Sequence, residues 1–168
     1  MQPMQIWLGN DHGGYDLKKE IAAFVQERGH EVVDAGCDSS EIVRYPYYAA
    51  KVANAVSRGA GGGRPVRGVL VCSTGIGMSI IANRFAGVRA SLCTSTYMGK
   101  MTRAHNDSNI LCLGGRCTGV FEALDILEAW LETEYEGGRH DISLGLIGQA
   151  DEALGCAQEW NPEIPDNQ

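Results

Sequence analysis

The sequence predicts a three-layer α/β/α sandwich built around a five-stranded parallel sheet. Short apolar, partly β-branched runs of strand length alternate with segments whose apolar residues recur at helical spacing. The connections between them are short, and such alternation closes into a parallel sheet through right-handed crossovers. The 168-residue chain, 44% hydrophobic and 21% charged, is long enough to bury one full core.

Residues 5–9 (QIWLG) read as the first strand, and Asn10-Asp11-His12-Gly13-Gly14 as the turn at its carboxyl end. Leu17, Ile21, Phe24 and Val25 then follow helical spacing, and Gly29 stops that helix. Residues 31–34 form a second strand, and the polar segment 36–46 a loop near the site. Tyr48, Val52 and Val56 mark the next helix, which ends in the glycine-rich turn 59–63. Val69, Leu70 and Val71 lie at the heart of a third, buried strand. Ile80, Ile81 and Phe85 supply the apolar face of the helix after it. Residues 88–92 are the fourth strand, and Thr94-Ser95-Thr96 caps a helix running towards Ala104, closed by His105-Asn106-Asp107. Residues 109–113 are the fifth strand. Thr118 caps a helix carrying Val120, Leu124, Leu127 and Leu131, and a last helix spans about 141–156. The architecture is Rossmann-like, with the last helix expected to extend to a partner subunit. Residues 1–158 read as one domain, its C-terminal extension starting near 141. Residues 159–168, with Pro162 and Pro165, read as a flexible tail.

Fourteen basic against 21 acidic residues give a formal charge of −7, which argues against a nucleic-acid partner. No apolar run reaches the length of a membrane span, and the start lacks the charged region of a signal peptide. A cytoplasmic protein is therefore expected, its six cysteines reduced and mostly serving as small core hydrophobes. No Cys-x-x-Cys pair or zinc-type His spacing occurs, so no metal and no cofactor is expected.

Chemistry concentrates in Cys72-Ser73-Thr74-Gly75-Ile76-Gly77-Met78-Ser79. The thiol stands at the carboxyl end of the third strand, where open α/β sheets keep their sites. A glycine-rich helix start follows it, a setting that favours the thiolate. Such a sulfur serves as a base, a nucleophile or a redox centre. The turn is neither a Walker A motif, since no Lys follows, nor a full dinucleotide fingerprint. A nest of backbone N–H groups for an oxyanion is the better fit. Asp11-His12 and Gly115-Arg116 end strands one and five and belong to the same edge. His105 precedes its strand and belongs to the opposite edge, so a single-chain site lacks it unless a partner subunit presents it. Arg116 and Arg139 each follow a Gly-Gly pair, a context that suits a bound anion.

Together these words resemble the ribose-5-phosphate isomerase B family, which includes the galactose-6-phosphate isomerase subunits. The matching motifs are Asp11-His12-x-Gly14, Tyr45-Pro46, Cys72-x-Thr74-Gly75-x-Gly77-x-Ser79, Ala82-Asn83-Arg84, His105-Asn106-Asp107 and Tyr135-Glu136-Gly137-Gly138-Arg139-His140. The resemblance implies a metal-independent aldose–ketose isomerase of a sugar phosphate, with ribose 5-phosphate to ribulose 5-phosphate the leading reaction. Isomerisation of a tetrose or hexose phosphate, or sugar-phosphate binding without catalysis, is the alternative. It implies that Cys72 moves a proton between C1 and C2, with Thr74 assisting at oxygen. Backbone N–H groups of Ser73, Gly75, Ile76 and Gly77 would hold the enediolate, while His105 and Asp11 would open the ring. Asn106 would contact the enediolate region or a hydroxyl, and His12, Arg116 and Arg139 the phosphate or nearby hydroxyls. Tyr45 and Ser79 are carried over as substrate contacts. The resemblance also implies a homodimer or tetramer whose sites are shared between subunits. Two positions depart from the family pattern: Ser143 stands where many bacterial members have an arginine, and Arg44 where they often have an acidic residue. Either Arg44 replaces the missing cation or the sugar differs.

Overall fold

The computed structural model describes residues 2–59, 61 and 63–165. Its five strands are β1 (Gln5–Asn10), β2 (Glu31–Asp34), β3 (Val66–Cys72), β4 (Ala90–Leu92) and β5 (Ile110–Gly114). All pair in parallel, in the order β2-β1-β3-β5-β4. The helices are α1 (Tyr15–Glu27), α2 (Tyr45–Ser57), α3 (Ile76–Ala82), α4 (Thr96–Asn106), α5 (Val120–Glu132) and α6 (Arg139–Leu154). The chain leaves β1 for β2 on one side and then crosses to β3 on the other. The crevice between the carboxyl ends of β1 and β3 is thus the switch point, where open sheets bind ligands.

Side chains alternate across each strand, so the central strands feed two cores. Ile6, Leu8, Val69, Val71, Leu111 and Leu113 meet Leu17 and Ile21 of α1 and Ile126 and Trp130 of α5. Leu70, Cys72, Ile110 and Cys112 meet Val52 and Val56 of α2 and Met78 and Ala82 of α3. Parallel strands buried on both faces read as continuous apolar runs, which is why residues 69–71 stood out in the sequence.

Several boundaries differ from expectation. The loop after β2 ends sooner, because Pro46 falls in the first turn of α2, where a missing N–H costs no hydrogen bond. The helix after β3 ends at Ala82, short of Phe85; Met78 and Ala82 form its buried face, and Ile80 is 53% exposed. Its C-terminus is fixed by Asn83, whose side chain bonds Ser79 O and both backbone groups of Ala90. β4 is shortened to Ala90–Leu92, though Val88 is buried beside it. Thr118 does not cap α5; Gly119 is the cap residue and offers no side-chain bond. Ser95 does cap α4, accepting from Met98 N–H. The last helix starts two residues early, at Arg139. The expected turn at 59–63 includes Ala60 and Gly62, which lie outside the described residues.

After α6 the chain turns back along the molecule. Ala86 N–H donates to Ala157 O at 2.9 Å and Ala157 N–H to Arg84 O at 3.0 Å. Glu159 pairs with Arg58 at the C-terminus of α2. The buried Asn54 amide donates to Trp160 O at 2.8 Å and Asn161 Oδ1 at 2.6 Å, and its oxygen accepts from Trp160 N–H at 3.2 Å. Pro162 and Glu163 reach Arg44–Tyr47 at the N-terminus of α2. The segment is therefore a strap running up α2 to the carboxyl edge of the sheet.

Candidate active site

Three turns pack backbone to backbone at the switch point. A Cβ on Gly13 would lie 2.2 Å from Ser73 Oγ and 2.8 Å from Ser73 N. One on Gly14 would lie 2.4 Å from Val71 O, and one on Gly115 2.5 Å from Gly13 O. Gly115 N–H donates to Cys72 O at 2.7 Å and Arg116 N–H to Ser73 O at 3.1 Å. Asp11, Cys72 and the Gly115-Arg116 turn are thereby held side by side. Gly13 and Gly115 were missed as positioning residues in the sequence; their signal is a pair of side-chain-free turns after neighbouring strands.

Cys72 is buried, and its Sγ accepts from Gly75 N–H at 3.1 Å. Gly75 adopts φ +78°, a left-handed conformation that suits glycine, and this swings its N–H back onto the sulfur. Ile76 N–H points to Thr74 Oγ1 at 3.3 Å. Two of the N–H groups expected to face an oxyanion are thus turned inward, one towards the thiol and one towards Thr74. Gly77 lies in the first turn of α3, where N–H groups have no intrahelical acceptor. The Tyr45 ring covers it: a Cβ there would come within 2.8 Å of the ring.

Three further cysteines lie in the two cores. Burial pushes the Cys93 thiol up to about 11, and the Cys112 and Cys37 thiols up as well. These remain neutral packing groups. Asp11 is buried and accepts from Gly13 N–H at 2.8 Å, so it also shapes its own turn. Next to it, buried Asn10 donates to Asp11 O and Cys37 Sγ. His12 Nδ1 accepts from Val43 N–H at 3.3 Å, pinning the β2–α2 loop over the crevice. Buried Lys18, unnoticed in the sequence, anchors the start of that loop through Asp34 at 2.8 Å and Cys37 O at 2.7 Å.

Not every expected residue reaches this place. Ser79 lies one turn down α3, its hydroxyl donating to Ile76 O at 2.8 Å. His105 and Asn106 end α4, which runs opposite to the strands, and Arg139 begins α6 beside them. Gly68 pairs with Ile110 and Cys72 with Gly114, so Cys72 stands about 13 Å along the strand direction from that level. Within one chain, His105, Asn106 and Arg139 are at the amino edge and Cys72 at the carboxyl edge. Asp107 holds the end of α4 in place. It takes φ +46° and accepts from Arg89 at 2.8 Å and Arg103 at 2.7 Å. His105 and His140 stack with centroids 4.4 Å apart, both facing Glu136.

Among known proteins, the chain is 49% identical to ribose-5-phosphate isomerase B of Escherichia coli strain K12 over 143 residues, 85% of this chain and 93% of that one. It is 38% identical to D-erythrulose-4-phosphate isomerase of Pectobacterium atrosepticum over 146 residues, 86% of this chain and 93% of that one. The structure of Clostridium thermocellum ribose-5-phosphate isomerase B superposes with a TM-score of 0.86 at 48% identity, covering 90% of this chain and 99% of that one. Residues 6–147 match the family model described as Ribose/Galactose Isomerase, and the chain belongs to that family.

Proposed function

We propose that the chain is an aldose–ketose isomerase of sugar phosphates, with ribose 5-phosphate and ribulose 5-phosphate as its substrate pair. The observation that carries this reading is the buried Cys72 sulfur at the switch-point crevice, beside a glycine turn, in a member of a sugar isomerase family. A binder needs no proton-transfer group there. Cys72 as thiolate takes the C2 proton of the open-chain aldose and returns it to C1. The electron pair moves through a cis-enediolate, and Thr74 passes the accompanying proton between O1 and O2. A sugar oxygen approaching the turn exchanges the inward bonds of Gly75 and Ile76 for bonds to itself, alongside Ser73 and Gly77. Aimed at developing charge in a site closed to water, such donors are worth about 3–4 kcal/mol each.

The chain is one catalytic domain in this proposal, and its site is completed by a second copy. The partner brings His105, with Asn106, across to Asp11 for ring opening, and Arg139 to join His12 and Arg116 at the phosphate. Remote phosphate binding then fixes the reacting carbons. Supporting this is α6, which buries none of its own residues while exposing Ile142, Leu146 and Leu154. Tyr45 closes the sugar end, and Arg44, at the same edge, supplies the cation that Ser143 lacks. No described helix is long and apolar enough to cross a membrane, which suits a cytoplasmic enzyme.

A panel of tetrose, pentose and hexose phosphates tests the reading. Ribose 5-phosphate is expected to give the highest kcat/KM; a higher value for a tetrose phosphate overturns the sugar assignment. Cys72→Ala is expected to lower kcat by about 10²–10⁴ while still binding a phosphate ester. Full activity in that variant removes Cys72 as the base. Arg44→Ala should raise KM, and an unchanged KM for every sugar removes the compensating cation.

A further inference from the structure

We infer that His105, Glu136 and His140 form a site for a borderline transition-metal cation of the zinc class, and that filling it switches the isomerase off. The second part rests on the role proposed for His105. The three donors come from two segments far apart in sequence, so no spacing rule reveals them. His105 is next to last in α4, Glu136 lies in the α5–α6 connection, and His140 is the second residue of α6. The Nε2 atoms of His105 and His140 stand 3.7 Å and 3.8 Å from one oxygen, Glu136 Oε2. All three ligand atoms lie within 4.8 Å of one another.

A tetrahedral zinc ion with bonds of about 2.0–2.1 Å spaces neighbouring donors roughly 3.3 Å apart. Each nitrogen-to-oxygen edge therefore closes by a few tenths of an ångström. The rings are nearly parallel, at 15°, so one must tilt about its Cβ–Cγ bond for both lone pairs to meet. The backbone beneath them is already tied. Glu136 N–H donates to Ala104 O at 3.0 Å and His140 N–H to Gly137 O at 3.2 Å. Tyr135 Oη donates to Asp141 at 2.8 Å, and Gly137 and Gly138 take the positive φ values the turn needs. In the single chain His140 is 16% exposed and Glu136 60%, so the carboxylate is the outermost of these two donors.

Two neutral imidazoles and one carboxylate select zinc, cobalt, nickel or copper over magnesium and calcium, which prefer all-oxygen sites. The fourth position stays open to water. A metal on His105 Nε2 holds the imidazole that ring opening would need free. The ion is an inhibitor here, and catalysis does not call for it.

Zinc titration of the full-length protein, with a competing chromophoric chelator, tests the site directly. Wild type is expected to bind one ion per chain, and Glu136→Gln and His140→Gln each at least tenfold more weakly, with unchanged circular dichroism. The zinc concentration halving isomerase activity, relative to each protein's zinc-free rate, should rise in parallel, and chelator should restore activity. Cobalt loading should give the visible bands of a tetrahedral nitrogen–oxygen site. Equal binding in wild type and both variants, or a sulfur-to-cobalt charge-transfer band lost in Cys72→Ala, overturns the site in favour of thiol capture. If both variants lose zinc while zinc-saturated wild type still isomerises ribose 5-phosphate, the site stands and the role of His105 falls. Absence of isomerase activity in metal-free wild type rejects the proposed function alone, since binding is read independently.

Discussion

Single atoms decide whether the three turns at the switch point fit together. Gly13 faces the backbone of Ser73, and no rotamer relieves a Cβ 2.8 Å from an amide nitrogen. Gly13→Ala is therefore expected to separate the β1 and β3 turns, at a cost of about 1–3 kcal/mol. Urea unfolding measures the cost, and kcat should fall with it because Asp11 and Cys72 ride on the separated turns. A variant as stable and as active as wild type rejects the close packing. The cysteines make a parallel point. Burial is the main cause that lifts the Cys93 and Cys112 thiols, and Cys72 is set apart by position, at a strand end with a backbone N–H at its sulfur. Position at a strand end was readable beforehand; the inward turn of the Gly75 N–H was not, because it depends on a φ that only the folded turn defines.

At the scale of elements, strands were the most legible part. Their apolar runs leave little choice where both faces are buried, as in β3 and β5. Helix ends were less so, since the end of α3 is set by the Asn83 contacts with β4, which are tertiary. The strap was least legible. Residues 159–165 carry two prolines and no periodicity, yet Asn54 on α2 engages three of their polar groups. Asn54→Ala is expected to loosen the strap without unfolding the domain. Limited proteolysis after Ala157 should quicken several-fold, with global stability lowered by less than about 2 kcal/mol. Unchanged cleavage would show that Arg58 and the Ala86–Ala157 bonds suffice.

For the whole molecule, the main question is how the proposed reaction would use residues on opposite edges of one sheet. The topology separating His105 from Cys72 was legible, since strand direction and chain order alone place them. Complementation tests the proposed answer. Cys72→Ala and His105→Asn should each be inactive, but a co-refolded equal mixture should recover about a quarter of wild-type activity. Half the random dimers are mixed, and each of these holds one intact site. No recovery in a mixture shown to contain mixed dimers rules out sharing.

The first and last described segments also have unequal surroundings. Met4 N–H bonds His30 at the amino edge of the sheet, whereas the strap delivers Pro162 and Glu163 to Tyr45, whose ring lies on Gly77. A fusion partner joined just ahead of Met4 would leave from the edge opposite Cys72. One joined close behind Glu163 would leave beside Tyr45, at the edge that carries Cys72. Polypeptide added there would compete with substrate for the site proposed above, so a purification tag at that end is expected to raise the apparent KM.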